Sequence, residues 1–257
     1  MNKEYKNYIF DLYGTLIDIH TDETKKKFWK QIADIYAENG ALYKPGELRE
    51  KYIQLVKEEE QKITLEKGYK YPEIKLETVF ARLLKKDFPE AKKEDIEVLQ
   101  NSRLVQNIAA SFRKFSRTKL EVYPYTIELL QRLKDDGKKI YLLSNAQHLF
   151  TLPEMDSCGI TGFFDGIYIS SLKGMKKPQP EFIESLILEY NMNKAESVMI
   201  GNDLFSDIGS AMSAGVDGIF LNNYNDTPEK IKKTYKELCN KYNSESTIYL
   251  EGEKVLL

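Results

Sequence analysis

Residues 5–10, YKNYIF, run directly into D-LYGTL (11–16), and this junction decides how the rest of the chain is read. YKNYIF is short, aromatic and β-branched, the pattern of a buried strand, and it ends on Asp11. Gly14 permits a tight backbone turn straight after it, and Thr15 adds a hydroxyl. From about residue 18 to 118 the apolar period changes to that of helices. TDETKKKFWKQIADIYAENG (21–40) carries Phe28, Ile32, Ile35 and Tyr36 on one stripe, offers Asp22 as an N-cap and stops at Gly40. Three more amphipathic stretches follow, one after Pro45, one after Pro72 and one spanning 96–112. Trp29, Tyr36 and the lysines at 25–27 read as core or solvent-facing positions.

After Pro124 strands and helices alternate. The helix YTIELLQRLKDDG leads into the strand KKIYLLS, which stops at Ser144 and Asn145. A strand GIYIS, a helix after Pro180, a strand SVMIG and a helix SDIGSAMSAG come next. The strand GIFLN and the helix PEKIKKTYKELCNKY follow, and the tail TIYLEGEKVLL reads as one or two edge strands. Such alternation implies an α/β fold, a Rossmann-like, mostly parallel sheet with helices on both faces. The helical stretch is then an all-α insertion. The expected division is 1–17 with 119–257 for the α/β unit and 18–118 for the insertion.

The chain has 257 residues, 42% of them apolar and 30% charged, enough for a packed core of this size without disulfide staples. Its 38 basic and 40 acidic side chains give a net charge of -2, which argues against a general nucleic-acid binder. Cys158 and Cys239 lie far apart and form no CxxC pair, so no zinc site or disulfide framework is expected. No apolar run approaches the roughly 18 residues of a membrane span, and the N-terminus has no signal-peptide core. The expectation is a cytoplasmic protein, monomer or homodimer, with no membrane partner.

In open parallel sheets ligands bind beyond the carboxyl ends of the strands. Those ends supply Asp11, then Ser144 with Asn145, then Asn202 with Asp203 and nearby Asp207. Lys177 lies in the loop KKPQP, where Pro178 restricts its backbone. Asp11 is a candidate nucleophile, Ser144 and the Asn145 N–H group are candidate holders of an anionic oxygen, and Lys177 is a fixed positive charge. Converging carboxylates repel one another and call for a cation or a shared proton; with oxygen ligands only, magnesium is the natural cation.

Taken in order, YIFDLYGTL, IYLLSNAQ, KKPQPEF and IGNDLFSDIGSAMSAG resemble the haloacid dehalogenase superfamily, and the helical insertion sits where that superfamily places a cap domain. The resemblance implies an aspartyl intermediate on Asp11. Thr15, Ser144 and Asn145 would bind the transferred group, with Lys177 as charge holder. The expected metal site is Asp11, the carbonyl of Tyr13 and Asp203, with Asn202 and Asp207 as alternates or a supporting layer. Two departures stand out. Phosphatases of this superfamily carry a second aspartate two residues after the nucleophile, and here that place is Tyr13, a candidate catalytic position with a poor acid–base pKa. The common pattern also puts aspartate where this chain has Asn202. The leading expectation is a magnesium-dependent phosphatase of a small phosphorylated metabolite, preferring good leaving groups. The alternatives are a metal-independent 2-haloacid dehalogenase, which shares the tyrosine, and a non-catalytic phosphate- or partner-binding member.

Overall fold

A computed structural model describes residues 3–86, 92–242, 246–250 and 253–254. The strand read from YKNYIF is β1 (Asn7–Phe10), and it lies in the middle of a seven-stranded sheet. Its neighbours are β4 (Lys139–Ser144) and β6 (Ser197–Gly201), both parallel to it. Outside them come β5 (Gly166–Ile169) on one side and β7 (Asp217–Phe220), β8 (Ile248–Leu250) and β9 (Glu253–Lys254) on the other. Only the β8–β9 pairing is antiparallel. The sheet is therefore mostly parallel, as the alternation predicts. The parts of the tail at 251–252 and 255–257 lie outside the described residues.

Alternate residues of the inner strands face opposite layers. Phe10, Ile140, Leu142, Val198 and Ile200 pack on one side with Leu130 and Leu133 of α6 (Thr126–Asp135). Ile9, Tyr141, Leu143 and Met199 pack on the other with Phe182, Ile183 and Leu186 of α9 (Pro180–Glu189). Both faces are covered, which is why these strands read as continuous apolar runs. One helix on the first face went unread from sequence: α7 (His148–Ser157), which contains Pro153, a residue that removes an intrahelical hydrogen bond.

Between β1 and α6 the chain builds a second core from five helices. These are α1 (Lys26–Glu38), α2 (Pro45–Lys67), α3 (Leu76–Leu84), α4 (Lys93–Gln100) and α5 (Arg103–Ser116). The stretch read as one helix over 96–112 is two, because Ser102 opens a new one by accepting the Val105 N–H with its hydroxyl. Phe112 is the hub: its ring lies 4.9 Å from Phe28, 5.2 Å from Phe80 and 5.4 Å from Tyr52. Trp29 and Tyr36 are buried in the same cluster. Among the described residues no helix is long and apolar enough to cross a membrane.

The helical unit is joined to the sheet by a two-stranded antiparallel ribbon, β2 (Ile17–Thr21) with β3 (Arg117–Val122). Sequence reading found no strand here. β2 is short, and α5 passes into β3 without an intervening glycine or proline. The ribbon matters because it starts six residues after Asp11.

Candidate active site

The register of the sheet brings the site together. Phe10 stands opposite Leu142 and Ile200, so Asp11, Ser144 and Asn202 leave the same edge. The Asp11 N–H still donates to the Ile200 carbonyl, at 2.9 Å, which fixes where the carboxylate emerges. The chain then turns: the N–H of Leu16 donates to the Leu12 carbonyl at 2.8 Å, and Gly14 takes a φ of +84°. That turn returns the Thr15 hydroxyl to 3.2 Å from Asp11 Oδ2 and 3.1 Å from Asn202 Oδ1.

Lys177 is almost fully buried, and its Nζ lies 2.6 Å from Asp11 Oδ1 and 2.7 Å from Asp207 Oδ1. Burial alone would discharge this ammonium, but the two carboxylates outweigh it and push its pKa up. The loop bearing Lys177 is gripped by the Asn145 amide, which accepts the Lys177 N–H at 2.7 Å and donates to the Lys177 carbonyl at 3.0 Å. Asn145 thus positions the lysine with its side chain, a role additional to the anion binding expected of its backbone. Burial pushes the Asp207 carboxyl up to about 7; Lys177 opposes this shift and the charge of Asp11 adds to it. Asp207 sits directly over Gly201, where a β-carbon would meet its carboxylate at 2.2 Å.

Once Asp207 gives up its proton, two carboxylates against one ammonium leave a buried negative charge, beside amide and carbonyl oxygens. This suits a small hard cation such as magnesium. Asn202, rather than Asp203, occupies the place beside Asp11. Its Nδ2 faces the Tyr224 hydroxyl above Gly14, so its carbonyl oxygen points toward Thr15. Asp203 is exposed, and its Oδ1 accepts the Ser206 N–H at 2.6 Å, capping the turn that follows. The expectation from sequence puts Asp203 at the metal; here its Oδ1 caps the Ser206 N–H, whereas Asn202 shares the Thr15 hydroxyl with Asp11 and Asp207 shares the Lys177 ammonium with it. The set is lean: among the described residues no group of three or more His, Cys, Asp or Glu side chains gathers as a metal site. Asp11, the Asn202 amide oxygen and the Tyr13 carbonyl are the atoms that could hold the ion, with Asp207 behind them.

The Tyr13 side chain, a candidate catalytic group from the sequence, is held by partners from distant segments. Its hydroxyl donates to the buried carboxylate of Glu154 on α7 and lies 3.3 Å from the Thr151 hydroxyl. Glu154 also receives Arg113 at 2.7 and 3.0 Å and Arg117 at 2.7 Å. Burial, reinforced by the Glu154 charge, pushes the phenol well above its ordinary value, so it keeps its proton. Tyr13 is a joint between sheet, α7 and the end of the helical unit. Nothing local in the sequence signals this cluster, whose members lie up to 141 residues apart. The same holds for Tyr125 and Asn223, which donate to the carbonyls of Thr15 and Gly14 at 2.6 and 2.7 Å and brace the nucleophile turn.

Ser144 completes the set. It ends β4 with its hydroxyl buried and, among the described residues, unpartnered by any hydrogen bond. A cleft of about 340 Å³ opens between the sheet edge and the helical unit, lined by Tyr13, Glu23, Glu73, Arg113, Asn145 and Phe150 among others.

The profile of the haloacid dehalogenase-like hydrolases matches residues 5–215. A glyceraldehyde 3-phosphate phosphatase of Pyrococcus furiosus is 26% identical over 117 residues, 44% of this chain and 49% of that protein. A sesquiterpene phosphatase of Aspergillus oryzae is 32% identical over 116 residues, 44% of this chain and 57% of that protein. The chain spans about half the length of the curated relatives it matches. Among solved structures, a 2-haloacid dehalogenase from Pseudomonas syringae superposes with a TM-score of 0.57 at 17% identity, covering 87% of this chain and 89% of that one. At that identity the likeness is one of fold.

Proposed function

The chain belongs to the haloacid dehalogenase-like hydrolase family, and from that premise we propose that it is a magnesium-dependent phosphatase acting on a small phosphorylated metabolite through an aspartyl phosphate. The observation that carries the reading is the buried Asp11–Lys177–Asp207 triad, with an unpartnered, buried Ser144 hydroxyl at the same sheet edge. An attacking carboxylate needs its charge held in place while a second anion approaches. Lys177 does this as a buried point charge, stronger there than it would be in water. Asp11 attacks phosphorus with an oxygen of its carboxylate. Thr15, Ser144 and the Asn145 N–H hold the phosphoryl oxygens, donors already oriented before the reaction begins. The helical unit closes the cleft and keeps bulk water from the aspartyl ester. When bound, magnesium would neutralise the charge of the transferred group and align it with Asp11.

The test is a panel of phosphorylated metabolites assayed with and without magnesium, beside Asp11→Asn. Release of phosphate that needs both the metal and Asp11 supports the reading. A panel with no metal-dependent, Asp11-dependent release overturns it.

One observation favours a second reading. Tyr13 and Asn202 leave the site poorer in carboxylates than the phosphatase pattern, and a haloacid's leaving halide needs no proton. A 2-haloacid dehalogenase would release chloride from 2-chloropropionate regardless of a chelator.

A further inference from the structure

Resting on the phosphatase reading, we propose that Glu23 is the acid–base residue of this site, taking the place that Tyr13 leaves empty. Glu23 lies between β2 and α1, at the point where the chain enters the helical unit, and lines the same cleft as Tyr13 and Asn145. Its backbone is fixed, because the Trp29 indole N–H donates to the Glu23 carbonyl at 2.7 Å. Its carboxylate is half-buried and, among the described residues, receives no hydrogen bond and forms no ion pair.

The neighbours explain why that carboxylate differs from the rest. Arg113 is the cation facing it, but the Nε and Nη2 of that guanidinium are already engaged by Glu154. Tyr52, from α2, faces both Glu23 and Glu73. Glu73 is the other acid of the cleft, and it is tied down by Ser170 at 2.9 Å, Gln147 at 3.2 Å and the Ile74 N–H at 3.2 Å. A carboxyl group that moves protons must be free to swing and must hold its proton near neutral pH. Burial raises the Glu23 carboxyl, with Arg113 opposing, which agrees with that demand. Glu23 combines that upward direction with an unpaired side chain, whereas Glu73, raised as well by burial, is held by its three hydrogen bonds.

The steps balance. As the Asp11–phosphorus bond forms and the ester bond breaks, the Glu23 proton passes to the leaving oxygen. A water molecule then attacks phosphorus, its proton goes to Glu23, and the Asp11–phosphorus bond breaks to release phosphate and restore the carboxylate. With this residue in place, the chain would not be confined to good leaving groups, in contrast to the preference that Tyr13 alone implies.

The experiment compares the full-length protein with Glu23→Gln, in magnesium, on aryl phosphates from p-nitrophenyl to phenyl to p-methylphenyl. In the wild type, kcat/KM should vary little along the series. In Glu23→Gln it should stay within about threefold for p-nitrophenyl phosphate and fall about a hundredfold for phenyl phosphate, in the range expected for loss of a general acid. The variant should also release p-nitrophenol in a burst equal to the enzyme, because the aspartyl phosphate then breaks down slowly. An equal loss on every ester, or a change in KM alone, overturns the role while leaving the phosphatase reading intact. A wild type that hydrolyses none of these esters overturns the role, and one that also releases no phosphate from the metabolite panel overturns both.

Discussion

The Lys177 ammonium lies 2.7 Å from Asp207 Oδ1, and both side chains are 1% exposed. With Asp11 at 2.6 Å on its other side, the lysine is the single buried cation between two buried carboxylates. Removing one member of such a set leaves the others uncompensated. Lys177→Met should therefore cost about 3–5 kcal/mol of stability as well as the activity. Urea unfolding of the folded variant measures the first, and phosphate release the second. A variant as stable as the wild type would show that the charges are relieved by some other means.

Asp207 gives stability a pH dependence. Its carboxyl, raised from 3.8 to about 7, holds a proton in the folded state that the unfolded chain has already released. The native state then binds more protons than the unfolded state between these values, so this contribution to stability falls as pH rises through the window and levels off above 7. The charged groups facing it are Lys177 and Asp11. Denaturant midpoints of wild type and Asp207→Asn at pH 4.5, 6 and 8 should differ by an amount that changes with pH. A constant difference would count against a buried, protonated Asp207.

Tyr13→Phe should lose about 1–2 kcal/mol, the worth of a hydrogen bond to a charged partner, with kcat changed less than threefold. Tyr13→Asp restores the acid seen in related phosphatases, but places a second carboxylate against Glu154. It should be less stable than Tyr13→Phe, as read by thermal melting. A large rise in turnover from Tyr13→Asp would show that the side chain can leave Glu154 and reach the substrate.

The metal reading separates two neighbouring residues. Asn202→Asp adds a charge beside Asp11 and should tighten magnesium binding about tenfold, close to 1.4 kcal/mol, by calorimetry. Asp203→Ala removes only the cap on the Ser206 N–H and should cost about 1 kcal/mol of stability with magnesium affinity unchanged. The reverse pattern would return Asp203 to the metal.

Gly14 tests the geometry of that same turn. It has φ +84°, and a β-carbon there would stand 2.4 Å from Asn202 Nδ2 and 2.5 Å from the Tyr224 hydroxyl. Gly14→Ala should be destabilised and should weaken magnesium binding, because Asn202 must shift to make room. Unchanged calorimetric affinity in a folded variant would separate Asn202 from the metal.

What the sequence by itself determined is what short-range periodicity and chain order carry. YKNYIF, KKIYLLS and SVMIG announce buried strands because both faces of the sheet are covered. Asp11, Ser144 and Asn202 follow from strand ends that a parallel register places on one edge, and Lys177 and Asp207 from the segments that come after β5 and β6. The choice between Asn202 and Asp203 was not legible. It depends on which side of a turn each residue faces, and that involves the Ser206 N–H within the motif and Tyr224 outside it. The ion cluster around Glu154 was equally hidden, since Tyr13, Arg113 and Glu154 meet only when the helical unit folds back through β3. The chemistry of a single residue can be read along the chain. Its protonation, partners and freedom to move depend on neighbours supplied by distant segments, and these the tertiary structure alone decided.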